Sequence, residues 1–202
     1  MKNHYLIIGI VLVSIFLTAC IGQKDLGPIT PELKRQWALS ADASDSYGGK
    51  YAQGTDDQSA YAATGKPDVN ECGDDVHAWV IGKEDDGLHW LELKYYDEVY
   101  ATKVRVKESF NPGAVVKIEL KDDDEYYTLW EGSYSTRDCP YWLEKEYVVT
   151  EVNSTFSMPE FKTDTVRLTL DTDAKGWNEI DAVELIGYTE RWYLLNGTIY
   201  YE

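Results

Sequence analysis

Three stretches of this sequence alternate apolar and polar residues with a period of two, and that alternation restricts the fold more than any other feature. Val104 and Val106 alternate with Lys103, Arg105 and Lys107, and Val116, Ile118 and Leu120 with Lys117, Glu119 and Lys121. Val166, Leu168 and Leu170 alternate with Arg167, Thr169 and Asp171. Successive side chains on a strand point to opposite faces, so each stretch reads as a strand with one wet face, the habit of antiparallel sheets. Turn-forming clusters at Asn111-Pro112-Gly113, Asp122-Asp123-Asp124 and 171–176 separate them. Further strands are expected at 37–43, 88–95, 125–131, 145–150 and 179–186, and a helical turn is suggested only at 58–63. About eight short antiparallel strands make an all-β chain, a sandwich or jelly roll. The acidic run 122–124 lies between two strand patterns, so it reads as a solvated hairpin tip rather than a metal site.

The start of the chain reads as an export signal. Lys2 precedes an apolar run from Tyr5 to Leu17, too short for a comfortable membrane span and proportioned like the core of a signal peptide. Leu17-Thr18-Ala19-Cys20 follows and resembles the lipobox of prokaryotic lipoproteins, in which the cysteine thiol carries the lipid. The expected organisation is a signal peptide over 1–19 and a tether over 20–36 held by acylated Cys20. The sandwich would run over 37–187, with a tail over 188–202. An ordinary signal peptide with an incidental cysteine is the alternative. Either reading puts the remainder outside the cytoplasm, and the first anchors it to the cell membrane through lipid alone. The tether is assigned from Gly27, Pro28 and Pro31 and the lack of any period over 21–35. In the tail, two β-rich runs flank Asn196-Gly197, the signature of a tight hairpin. Asn153 and Asn196 begin glycosylation sequons whose use depends on the host.

A formal charge of -17 argues against nucleic acid, whose phosphates need a basic patch, and against electrostatic docking on anionic lipid. It is compatible with a solvated acidic surface or with an affinity for cations. Cys72 and Cys139 remain after the anchor. In an exported chain two thiols point to a disulfide rather than to zinc, for which only His77 and His89 could complete the ligands; two free thiols are the alternative.

Several stretches together resemble a known family. They are Ser59 to Val69 (Ser-Ala-Tyr-Ala-Ala-Thr-Gly-Lys-Pro-Asp-Val), Trp90-Leu91-Glu92-Leu93, Val99 to Val104, Asn111 to Val116, and Trp177 to Gly187 (Trp-Asn-Glu-Ile-Asp-Ala-Val-Glu-Leu-Ile-Gly). In this order they are similar to a branch of the galactose-binding-like (discoidin-like) jelly rolls of extracellular and surface proteins such as pappalysins. The resemblance covers about 37–187. It implies an eight-stranded sandwich with a ligand-binding or adhesive role and no catalysis. Cys72 and Cys139-Pro140 also look like the branch's cysteines. The fold alone does not fix a ligand, since it serves sugars, lipids and proteins.

Enzymatic signals are weak. No Gly-rich phosphate loop opens a helix, no Gly-x-Ser-x-Gly elbow is present, and His89 sits beside Trp90 in a strand. A glycosidase-like pair of carboxylates is the reading that so acidic a chain cannot dismiss. Glu184 is the sharper feature. Ile180, Ala182, Glu184 and Ile186 share one face of the last strand and Val183 and Leu185 the other, so a carboxylate lies in a strand apolar on both sides. Buried unpaired it would be costly, so it needs a cation, or a lysine, arginine or backbone donor. In discoidin-like sandwiches a last-strand acid and a loop near the first strand often hold a structural calcium. Here the resemblance implies Asp68, Asp74 and Asp75 with Glu184. A sugar would suit His77, Trp79, Trp177 and Asn178 at one end of the sandwich, although both tryptophans are equally suited to the core. The function expected is a non-catalytic surface lipoprotein that binds carbohydrate or adheres through it. The alternative is a protein-interaction subunit of an envelope complex that binds a cell-surface protein.

Overall fold

The computed structural model describes residues 31–48, 58–147, 149–151, 154–156, 158–174, 176–195 and 198–201. The signal, Cys20, the sequon asparagines Asn153 and Asn196 and the Asn196-Gly197 turn lie outside them. Twelve strands occur among the described residues: β1 Leu33–Trp37, β2 Ser40–Ala43, β3 Leu88–Phe110, β4 Val115–Asp122, β5 Glu125–Glu131, β6 Tyr141–Glu146, β7 Val149–Glu151, β8 Ser154–Phe156, β9 Thr163–Asp171, β10 Glu179–Tyr188, β11 Trp192–Leu195 and β12 Thr198–Tyr201. A 3-10 turn at Ala60–Ala63 is the helical signal read near 58–63.

All pairings are antiparallel, and β3 organises them. Its first part, Leu88–Lys94, pairs with β2 and β9; its last part, from Tyr100 on, pairs with β10 and β6. Between them the register breaks at Lys94–Val99. One strand therefore belongs to two layers: β2-β3-β9-β4-β5 and β1-β10-β3-β6. A strand that changes sheets through an irregularity makes the corner of a sandwich. Tyr95 fastens this corner: its buried hydroxyl donates to Val183 O at 3.2 Å, and burial raises its pKa well above the ordinary tyrosine value.

The alternation read from sequence supplies the core. Leu91 and Leu93 of β3, Ile118 and Leu120 of β4, and Val166, Leu168 and Leu170 of β9 are buried against Val104 and Val106 of β3 and Val183 and Leu185 of β10. Each such side chain contributes about 1.5–3 kcal/mol on leaving water. β4 and β5 meet at Asp123, which has φ +49, so the acidic run 122–124 is a hairpin tip. Cys72 and Cys139 form a disulfide.

Three expectations need correction. Folded structure begins before residue 37, because Leu33–Trp37 pair along β10 from Tyr188 to Glu184, so 33–36 are strand and not tether. The strands expected at 88–95 and 103–107 are one bent strand. Ile180 does not share a face with Ala182, Glu184 and Ile186. Ile180 pairs with Glu108 and Ala182 with the adjacent Lys107, which leaves Asp181 as the extra residue of a β-bulge. The bulge resets the phase, so Ile180 joins Val183 and Leu185 in the core. The tail strands β11 and β12 pair with each other and with neither layer.

Candidate functional site

The bulge at the head of β10 presents two acids, Glu179 and Asp181, to the loop 64–81. An isolated bridge fixes that loop: Trp79 N donates to Ile180 O and Ile180 N to Trp79 O, at 2.8 and 3.0 Å. Asp181 is fully buried and ion-paired. Its Oδ1 accepts from Asp68 N–H at 3.2 Å, and its Oδ2 lies 3.2 Å from Lys107 Nζ. Lys107, itself buried, also donates to Val69 O. Burial pushes the Asp181 carboxyl up from its ordinary value, against the Asp68 N–H and the lysine.

Glu179 is different. It is 1% exposed; Oε2 accepts from Asp75 N–H at 3.2 Å, while buried Oε1 has no donor. The Asp74 carboxyl lies against it. Burial first, then the contact with Asp74, push the Glu179 carboxyl up to about 8. Asp74 accepts from Gln58 Nε2 at 2.6 Å. Asp75 is turned away to His77, whose N–H and ring Nδ1 lie 3.0 and 2.7 Å from its Oδ1 and hold its pKa below the usual value.

Beside this pair is a small cleft of about 140 Å³ lined by Tyr47, Gln58, Asp74, Val80, Trp177 and Glu179. Tyr47 is 62% exposed and meets Trp177 edge-on, ring centroids 5.7 Å apart and planes at 85°. Such ring pairs prefer this arrangement, and it leaves the Tyr47 ring available to a ligand. The segment before β10 is held in place by Asn111, at φ +40: Asn111 Nδ2 donates to Trp177 O and Asn178 Nδ2 to Asn111 O, both at 2.8 Å. Gly176, at φ +90, is required there because a Cβ would come 2.7 Å from Asn111 Nδ2.

The residues drawn together from sequence are therefore divided. Glu184 is not a calcium ligand in this arrangement. Its Oε1 accepts from Arg35 Nε at 2.9 Å, and its Oε2 from Arg35 Nη2 at 3.0 Å and Arg105 Nη1 at 2.8 Å. Cross-strand register explains this: Trp37, Glu184, Arg105 and Glu144 stand side by side across β1, β10, β3 and β6. The buried carboxylate met the arginine alternative. Asp68 is exposed and engages β10 only through its backbone, so it does not converge with Asp74, Asp75 and Glu184. Among the described residues no group of three or more His, Cys, Asp and Glu side chains is arranged to hold a metal. The donors expected for calcium do not fit it, and the tie between loop and last strand is made instead by the Lys107 ammonium. Trp79 leaves the proposed sugar face as well. It is wholly buried, with Nε1 donating to Ser46 Oγ at 2.9 Å, and Asn178 is buried too. Trp177 lines the cleft; His77 is exposed next to Asp75 but does not line it.

Tyr47, Gln58 and Glu179 were not singled out from sequence. A signal for Glu179 existed, since Glu179-Ile180-Asp181 sets two acids at the head of an otherwise apolar strand. Tyr47 had none.

No curated protein matches the chain in sequence. Among solved structures it is similar to a variant of chitosan-binding module 1 from a chitosanase/glucanase of Paenibacillus sp. IK-5. The identity is 13% and the TM-score 0.50, over 73% of this chain and 93% of that one. It is similar also to the family 32 CBM, a carbohydrate-binding module, of NanJ from C. perfringens, solved with galactose. There the identity is 13% and the TM-score 0.50, over 76% of this chain and 99% of that one. At such identities the likeness is one of fold, the galactose-binding-like jelly roll. The family model described as "Pappalysin-1, SD scarf domain, C-terminal" matches residues 32–195, which take in both layers, β1 and the carboxylate corner. The chain belongs to the family of the pappalysin-1 C-terminal SD scarf domain.

Proposed function

We propose that this chain is a non-catalytic glycan-binding module of the cell envelope, held at the membrane by lipid on Cys20, and that its ligand enters the cleft at Tyr47. The observation that carries the reading is the exposed Tyr47 ring braced by Trp177 beside side chains with unspent polar capacity, at the loop end of the sandwich. Sugar recognition combines a ring that stacks on a sugar face with a few placed polar groups, and both are present in one shallow cleft. The chitosan- and galactose-binding functions printed for the two similar structures support a carbohydrate as the ligand class. A glycan array probed with the full chain should give hits that Tyr47→Ala abolishes; an array unchanged by that substitution overturns the site. Replacement of Cys20 by Ser should move the chain from the membrane to the soluble fraction.

A protein partner is the second reading. It is favoured by the β11–β12 hairpin, which forms a sheet of its own beyond both layers. Deleting 188–202 should abolish partner capture and leave glycan binding in place. A calcium ion enters neither reading at Glu184; Asp74 and Glu179 offer a cation two acids, and that competitor is tested below.

A further inference from the structure

Two buried acids stand at the head of β10, and the fold treats them differently. Asp181 has an ammonium, Lys107 Nζ, within 3.2 Å, and that ammonium also takes Val69 O. Among the described residues Glu179 has no such cation. Its Oε1 is buried without a donor, Asp74 sets a second acceptor against it, and no described lysine or arginine lines the cleft they share. A buried carboxylate oxygen without a donor is costly, and two facing acceptors are stabilised only by a proton or a cation between them. The Asp75 carboxylate is bonded to His77, and the hydrogen bond of the Gln58 amide goes to Asp74.

We infer that the ligand's charge fills this gap: the glycan bound here is an amino sugar with a free, protonated amine, seated between Asp74 and Glu179 with its ring against Tyr47. The inference rests on the proposed function and names the substrate class of that site. The walls decide between an organic ammonium and a metal ion. Calcium takes six to eight oxygens, whereas the described residues of this corner offer two carboxyl groups and the Gln58 amide; the other described walls are Tyr47, Trp177 and Val80. Ring faces attract an ammonium on a hydrocarbon frame and do nothing for a hydrated metal. Lys107 shows the same chemistry solved internally one bulge away.

The test is titration calorimetry of the full chain with a glucosamine tetramer and an N-acetylglucosamine tetramer, at a pH where the free amines are protonated. The deacetylated tetramer should bind at least tenfold more tightly. Glu179→Gln and Asp74→Asn should each cost it at least tenfold and erase its advantage over the acetylated tetramer. Asp74 is exposed, so its variant remains informative if the buried one fails to fold. Equal binding of the two tetramers overturns the ammonium and leaves the glycan reading standing. Failure of both tetramers together with an empty glycan array overturns both. Stoichiometric calcium binding lost in Glu179→Gln, with no tetramer binding, makes the corner a metal site and overturns the inference. A tetralysine peptide that binds through Glu179 when the sugars do not assigns the amine to a protein partner, with the same result.

Discussion

Glu179 and Glu184 lie five residues apart on one strand, both buried, with opposite chemistry. Glu184 is fixed by three guanidinium bonds and holds β1, β10 and β3 together. Replacing Arg105 by Met removes a partner of a buried charge and should cost about 3–5 kcal/mol in denaturant unfolding. Chelators should leave the wild-type melting temperature where it was. Glu179 carries a pH signature of its own. Its folded pKa, about 8, lies above the ordinary value of 4.5, so the folded state holds the proton more tightly than the unfolded one. The resulting stabilisation is complete below about 4.5 and is lost as pH rises through about 8. Melting temperature should therefore fall over that window, and Glu179→Gln should flatten the fall; an unchanged slope sinks the assignment. An ammonium ligand would expel this proton, so the heat of binding at neutral pH should depend on the ionisation enthalpy of the buffer.

At the scale of elements, the legible strands were those whose alternation runs uninterrupted. β4 and β9 follow the sequence closely because each has one wet and one dry face. β1 was invisible, since Lys34, Arg35 and Gln36 give it no apolar stripe; it is held by backbone pairing to β10 and by the Arg35–Glu184 bonds. The unity of β3 was hidden because Tyr95–Glu98 breaks the period without a glycine or proline. The candidate site suffered most from the bulge at Asp181, a one-residue insertion that puts Ile180 out of phase with Ala182, Glu184 and Ile186. Trp177 was legible as a ring at the sandwich end, whereas Trp79 looked the same in sequence and is core. The turn between β3 and β4 carries its own prediction. Gly113 sits at φ +109, and a Cβ there would come 1.9 Å from Ser135 O, so Gly113→Ala should destabilise by at least about 1–3 kcal/mol.

For the molecule as a whole, the disulfide joins the site loop to the segment leading into β6. Cys72 and Cys139 are 67 residues apart, and closing a loop of that length stabilises by about 4 kcal/mol in the chain-entropy model. The Cys72→Ser/Cys139→Ser double variant should lose stability of that order in denaturant melts. A smaller loss with weakened ligand binding would mean that the bridge mainly positions the loop.

The pairing of β1 with β10 also sets how the protein carries force. Leu33, the first residue of β1, lies beside Tyr188, whereas the cleft is at Glu179, the opposite end of β10. At about 3.4 Å per residue the two ends are about 30 Å apart, so the proposed lipid tether, entering β1 at Leu33, would present the cleft away from the membrane. A tug on a captured ligand then pulls β1 and β10 lengthwise in opposite directions. That loads their backbone bonds in shear, all at once, with the Arg35–Glu184 clasp across the seam, and does not peel them apart one by one.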